Sequence, residues 1–565
     1  MKKLRWQLII ICITGLVVGI LLLSEQPGSR NPGGLLSPNN PPQGGSYTEA
    51  LIGSLQRLNP LLDYYNSADR DIDRLVYSRL VTFDDSGLPQ GDLAESWGVS
   101  QDGTVYNLAL RPDVKWHDGE PLTAADVVFT VDMMRNGADV IPADLVSFWS
   151  EVEVEALSDT AVQFRLPEPF APFVDYLSFG ILPQHIFGQF SFAEMIDSPA
   201  NLAPIGSGPY QFDRLIVENG QIMGVALQVN EDYYLDLTNI AEFIFRYYPD
   251  SASALQAYQD DVVQGVASIS ADALNAALAE PDLALYTGRK PELALVLFNL
   301  NNSEVDFFQN AVVRRALYAG LNRQFMVDRV LNGQAILADG VILPGTWAYH
   351  EGLGQVAYDP NTALQMLKEE DYILADENAT VRSKEDKLLQ FTLIYPDTVQ
   401  HRAIAERIQA DWESLNVGVI LEAVPYDQLI QDRLASHNYQ AALVDLNLSR
   451  SPDPDPYPFW DQVQATGGQN YSQWNNNMAS EHLENARVAV DISERMRLYN
   501  NFQAIFADEL PALPLYYPVY TYAVRNDVQG VRMGPLFDSC DRFASVLDWY
   551  LLAPQEQLPA ATATP

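Results

Sequence analysis

The stretch WHDGEPLTAADVVFTVD, Trp116–Asp132, gathers side chains able to do chemistry. His117, Asp118 and Glu120 sit close together, ahead of an apolar run. A histidine beside carboxylates is the raw material of general acid–base catalysis or of a metal site. The neighbouring residues give it another role. Thr123, with Asp126 three positions on, reads as a capping box that opens a helix. Val127, Val131 and Met134 then recur at helical spacing and face a core. Gly119 and Pro121 are turn residues. His117, Asp118 and Glu120 therefore read as the polar edge of a turn between a strand, Thr104–Leu110, and that helix.

No other spacing forces chemistry. The six histidines (His117, His185, His350, His401, His437 and His482) contain no H-x-x-x-H pair. The two cysteines, Cys12 and Cys540, stand near opposite ends, so neither a disulfide nor a metal site is expected. No cofactor is expected. G-x-S-x-G and H-E-x-x-H are absent from the sequence, and an exported hydrolase would need such a nucleophile or base.

The elements that must position these residues require a large body. At 565 residues and 47% hydrophobic content the chain can bury several cores. Its formal charge of −40 repels phosphate backbones, so nucleic acid is a poor partner. A monomer is expected. Lys2, Lys3 and Arg5 precede an apolar run, Leu8–Leu23, which reads as an N-terminal anchor or signal segment over residues 1–23. The chain beyond that run is then exported. Residues 24–46, rich in Pro, Gly, Asn and Ser, read as a tether, and 553–565 as a flexible tail.

Within the body, strand patterns alternate with helical ones, which indicates α/β architecture. HRAIAERIQADWESLN (His401–Asn416) is an amphipathic helix, followed by the alternating strand VGVILEAV (Val417–Val424). Two apolar, strand-like passages, ELALVLFNLNN (Glu292–Asn302) and LPALPLYYPVYTYAVRND (Leu510–Asp527), bracket a block large enough to be a lobe. Two crossing segments make a hinge.

In this order, six stretches resemble the extracellular solute-binding proteins of family 5, the dipeptide, oligopeptide and nickel receptors of ABC importers. They are Leu58–Met134, PIGSGPYQF (Pro204–Phe212), Leu297–Gly333, YDPNTALQMLKEEDY (Tyr358–Tyr372), SPDPDPYPFW (Ser451–Trp460) and Leu510–Val531. The resemblance implies a two-lobed, periplasmic-binding-protein-like α/β fold with two hinge crossings and an extra subdomain in the first lobe. It implies lobe one with its inserted subdomain over 47–290, lobe two over 291–509 and a return to lobe one over 510–552. It also implies a function: capture of a peptide or other small organic solute between closing lobes, and delivery to a membrane permease. The alternatives left open are a membrane-anchored sensor of the same fold, or an exported hydrolase.

The resemblance also suggests ligand-binding residues. Gly53, Ser54, Leu55 and Gln56 match a strand edge whose backbone pairs with an extended ligand, or are simply the lobe's first strand. Phe148 and Trp149 fall near an aromatic wall from the subdomain. His401, Tyr426 and Arg433 match polar and aromatic positions of an oligopeptide-type site. The sequence departs from the family just before DPDP. Peptide receptors carry an aspartate there, to pair with the peptide's α-ammonium group. This chain has Arg450, or Ser449 under a one-residue shift. A guanidinium suits a carboxylate or phosphate instead, which points to an anionic or neutral solute. The alternative is that Asp445 or Asp453 does the pairing.

Overall fold

The computed structural model describes residues 43–449 and 452–552. The expectations for residues 1–23, for most of the tether, for Arg450 and for the tail lie outside the described residues. Ser46, placed in the tether by composition, already begins a strand, Ser46–Ile52. Among the described residues no helix is long and apolar enough to cross a membrane.

One strand, Ala512–Arg525, organises a twelve-stranded sheet. Its first half pairs antiparallel with Glu292–Phe298, Leu297 facing Ala512 and Ala294 facing Tyr516. Its second half pairs with Leu283–Arg289, Arg289 facing Val519 and Leu283 facing Arg525. Those two partners follow one another in the chain with only Lys290 and Pro291 between them. The backbone therefore passes between two lobes twice, side by side. The second passage lies at Pro518–Val519, the only half-buried pair within the long strand. Pro518 has no N–H for the ladder, but its carbonyl accepts from Lys290 N at 2.8 Å, so the crossings are tied together.

Lobe one joins the second half of that strand to Gly265–Val266, Ser46–Ile52, Glu242–Tyr248, Gln221–Val229 and Tyr210–Glu218. Wholly buried Arg542 holds this core together. It reaches Glu49 at 2.6 Å and Asp71 at 2.7 Å, while the hydroxyls of Tyr47 and Tyr522 donate to the same Glu49 carboxylate. Lobe two joins the first half to Glu292–Phe298, Ala441–Asn447, Gln390–Pro396 and Gly418–Val424. The last two run parallel, with the helix Val399–Glu413 as their crossover. Within Glu292–Phe298, Leu293, Leu295 and Leu297 enter one core, and Ala294, Val296 and Phe298 the other. A strand buried on both faces reads as an unbroken apolar run for that reason.

The subdomain of lobe one is a four-stranded antiparallel sheet covered by the helices Ala124–Arg135 and Ala143–Glu151. Tyr106, Leu108 and Leu110 point inward from its strand Val105–Leu110. The first helix opens as expected: Thr123 N donates to Asp126 Oδ2 at 2.8 Å, and Val127, Val131 and Met134 are buried.

His117 is more than the edge of a turn. Its Nδ1 accepts from Gly206 N at 3.1 Å, its Nε2 donates to Gly208 O at 3.1 Å, and its own N donates to Gly206 O at 2.8 Å. The ring is thus a neutral clasp between the turn and the PIGSGPYQF loop. That loop must be glycine-rich, because a Cβ on Gly206 would stand 1.9 Å from the Val76 carbonyl oxygen.

Candidate functional site

A cavity of about 330 Å³ opens beside the two crossings and is lined from both lobes. Lobe one contributes Ser67, Arg70 and Asp71 from the helix Ser67–Val76, with Ser268, Asp538 and Ser539. Lobe two contributes Glu292, Asn447 and Ser449, while Lys290 and Pro291 form the wall where the chain crosses. These residues are here because of strand ends. Glu292 opens its strand and Asn447 closes the neighbouring one, and the two face each other in register.

Both signs of charge meet in the cavity. Arg70 Nε lies 2.8 Å from Asp538 Oδ2. Burial works against the Arg70 charge, but Asp538 and Asp63 outweigh it and hold the guanidinium above its ordinary pKa. Burial raises the Asp71 carboxyl, and Arg542 beneath it opposes that rise. Lys290 and Glu292 bring a second cation and another carboxylate to the rim.

Two residues further back along the lobe-two strand, on the face shared with Asn447, stands Asp445. Its Oδ2 lies 2.8 Å from His401 Nε2. The crossover helix positions His401 through its cap: Thr398 Oγ1 accepts from His401 N at 3.1 Å and meets His401 Nδ1 at 2.8 Å. A carboxylate only accepts, so Nε2 carries the proton towards Asp445. Tyr426 stands close by. Burial raises its phenol pKa, with further contributions from the Asp445 and Glu292 charges. Tyr516, facing Ala294 as Asp445 does, is raised in the same way by burial and then by Asp445.

The structure thus brings His401, Asp445 and Tyr426 into one corner, with Ser449 on the cavity wall. The other sequence-derived candidates go elsewhere. Gly53, Ser54 and Gln56 are exposed just past the end of the strand Ser46–Ile52, and Leu55 packs partly against the lobe-one core. Asp69 accepts from Gln56 N at 3.1 Å, and Asn66 donates to Ser54 O at 3.0 Å, so part of this backbone is already bonded. Phe148 lines a different cavity. Its neighbour Trp149 is 2% exposed and packs on Phe164, Phe173 and Phe179, which puts it in the subdomain core. Arg433 pairs with Glu422 and lines neither cavity. Asp453 is 4% exposed, paired with Arg495 and bonded by Tyr499.

Arg70, Asp71, Lys290, Glu292, Asn447 and Asp538 are missed by sequence reasoning. Their signal there is faint: a charged or amide residue at or beside the end of an apolar strand, a place within the mixed-charge run SADRDIDRL, or, for Asp538, the N-cap of the helix Ser539–Asp548.

A family model described as bacterial extracellular solute-binding proteins, family 5 Middle, matches residues 89–470. The oligopeptide-binding protein AppA of Bacillus subtilis is 27% identical over 548 residues, covering 95% of this chain and 98% of that protein. The dipeptide-binding protein of Escherichia coli is 25% identical over 512 residues, covering 86% and 91%. Among solved structures, Bacillus subtilis AppA in complex with a nonapeptide aligns with a TM-score of 0.63 at 25% identity, over 91% of this chain and all of that one (100%). HbpA2 from Haemophilus parasuis aligns with a TM-score of 0.77 at 22% identity, over 90% and 100%.

Proposed function

Because the chain belongs to the bacterial extracellular solute-binding proteins of family 5, we propose that it is the solute receptor of an ABC importer. In this reading it takes up a peptide or similar small organic solute between its lobes and presents it to a membrane permease. The observation that carries the reading is the cavity at the double crossing. A solute there touches both lobes at once, and only such a solute can favour the closed form over the open one. Lys290–Pro291 and Pro518–Val519 are the proposed hinge. Residues 1–23 are the proposed membrane anchor or export signal.

The mixed charges of the cavity suit a zwitterion, and relatives named for peptides support that class. Asp445 is the proposed partner of the ammonium group, because its carboxylate is part-exposed while Asp453 is committed to Arg495. A second reading rests on Arg450, which stands where the family's aspartate is expected and favours an anionic or neutral solute. Titration with free and N-acetylated di- to pentapeptides separates the two. Binding that acetylation abolishes supports the Asp445 assignment; binding of the acetylated forms alone supports the second reading. Mass spectrometry of the solute released on denaturation identifies it directly. Co-purification with a permease supports the importer role over a sensor, and turnover of the bound solute would overturn the receptor reading itself.

A further inference from the structure

A second cavity, of about 490 Å³, lies between the subdomain of lobe one and lobe two, and shares no lining residue with the first. Its walls are aromatic. Phe148, Phe170 and Tyr176 form one cluster, with Phe148 and Tyr176 centroids 4.5 Å apart, and Tyr457 faces them from lobe two. These rings already hold a cation from the chain itself. The Arg487 guanidinium lies 4.3 Å from the Tyr457 centroid and 5.0 Å from that of Phe170. Its Nε is 3.3 Å from Asp455, a carboxylate outside the lining. Among the described residues, the lining's own carboxylates, Asp144, Glu151, Glu168 and Glu484, are exposed at the rim and outnumber its guanidinium, that of Arg487.

Ring faces attract cations, and surplus carboxylates strengthen that attraction. We propose that this cavity is a second binding site, for a small organic amine with an aromatic or aliphatic body. Phe148 and Tyr176 receive the body, and the rim carboxylates, Glu484 among them, receive the ammonium group. The walls come from both lobes, so the amine stabilises their approach and acts as an effector of the main cleft. This last step rests on the reading of that cleft as a closing solute site.

Calorimetric titration of the full chain with tryptamine tests the site, with tryptophol as the uncharged counterpart. Saturable tryptamine binding is expected, with tryptophol weaker by about tenfold. Phe148→Ala and Glu484→Gln should each weaken tryptamine by a similar factor, whereas Asp445→Asn should leave it unchanged. Glu484 is exposed, so its variant keeps the fold. Absence of saturable binding, equal binding of tryptophol, indifference to both cavity variants, or loss in Asp445→Asn would overturn the proposal. Peptide titration of the main cleft is a separate measurement and can fail while tryptamine still binds.

Discussion

His401 and Asp445, 44 residues apart in sequence, meet Nε2 to Oδ2 at 2.8 Å, where the first turn of a helix faces the end of a strand. Thr398 Oγ1 holds the other side of the ring, 2.8 Å from Nδ1. Asp445→Asn removes the charge and keeps the shape. A peptide mixture should bind about tenfold more weakly or worse to that variant. Its stability should change by about 1 kcal/mol or less, because the pair is part-exposed. Calorimetric titration and thermal melts of the same preparation check both halves.

His117 predicts a pH dependence. Burial lowers its pKa to about 4, with Gly208 and Asp118 opposing the shift. In the unfolded chain the ring titrates near pH 6.5. The unfolded state therefore takes up a proton in a range where the folded ring stays neutral. The clasp's contribution is complete above about pH 6.5, falls as the pH drops and is gone by about pH 4. Its full size is about 3 kcal/mol at most. Urea unfolding across that window should show this slope in the wild type, and lack it in His117→Gln.

Gly206 and Gly208 lie against the last turn of the helix Ser67–Val76, and a Cβ on Gly208 would come 2.4 Å from the Leu75 carbonyl oxygen. Neither that oxygen nor the one at Val76 is the tip of a flexible side chain. Gly206→Ala should cost about 2 kcal/mol or more, since backbone has to move. Chemical denaturation reads the loss directly, and an unchanged midpoint would show that the loop has room to spare.

Arg495 and Asp453 are both buried beside the DPDP turn, and Asp453 N also reaches across the lobes, donating to Asp175 Oδ2 at 2.7 Å. Burial works against the Arg495 charge, and Asp453 more than restores it. Arg495→Met takes one charged partner from that buried carboxylate and leaves the Tyr499 hydroxyl, at a cost of up to about 3–5 kcal/mol. The double variant Arg495→Met/Asp453→Asn should recover part of that stability. A double-mutant cycle in urea measures the coupling.

The fold is legible where burial repeats with a clear period. The strand at Val105–Leu110 and the helix at Ala124–Arg135 follow from period-two and helical patterns, and the shared strand from its long apolar run. The candidate site is legible only in part, and for physical reasons. Phe148 and Trp149 are adjacent in sequence, but consecutive helical residues point about 100° apart. One therefore meets a cavity and the other the core. Arg433 looks like a free cation in the sequence because its partner, Glu422, belongs to a strand whose register the sequence does not state. Lys290, Glu292 and Asn447 mark strand ends, and only the pairing of those ends reveals that they face one cavity. His117 reads as a surface turn because its partners, Gly206 and Gly208, are backbone groups that no side-chain pattern marks.

The buried bond between Arg542 and Glu49 spans 493 residues, and that between Arg542 and Asp71 spans 471. During synthesis, both carboxylates emerge long before their guanidinium. An uncompensated buried charge costs several kcal/mol, so the core of lobe one gains its full stability only once Arg542 has been made. Lobe two draws its strands from one continuous block, closed by the first half of the strand Ala512–Arg525. Of the two lobes, the one whose strands start earlier in the sequence is thus the one whose charge cluster is completed later.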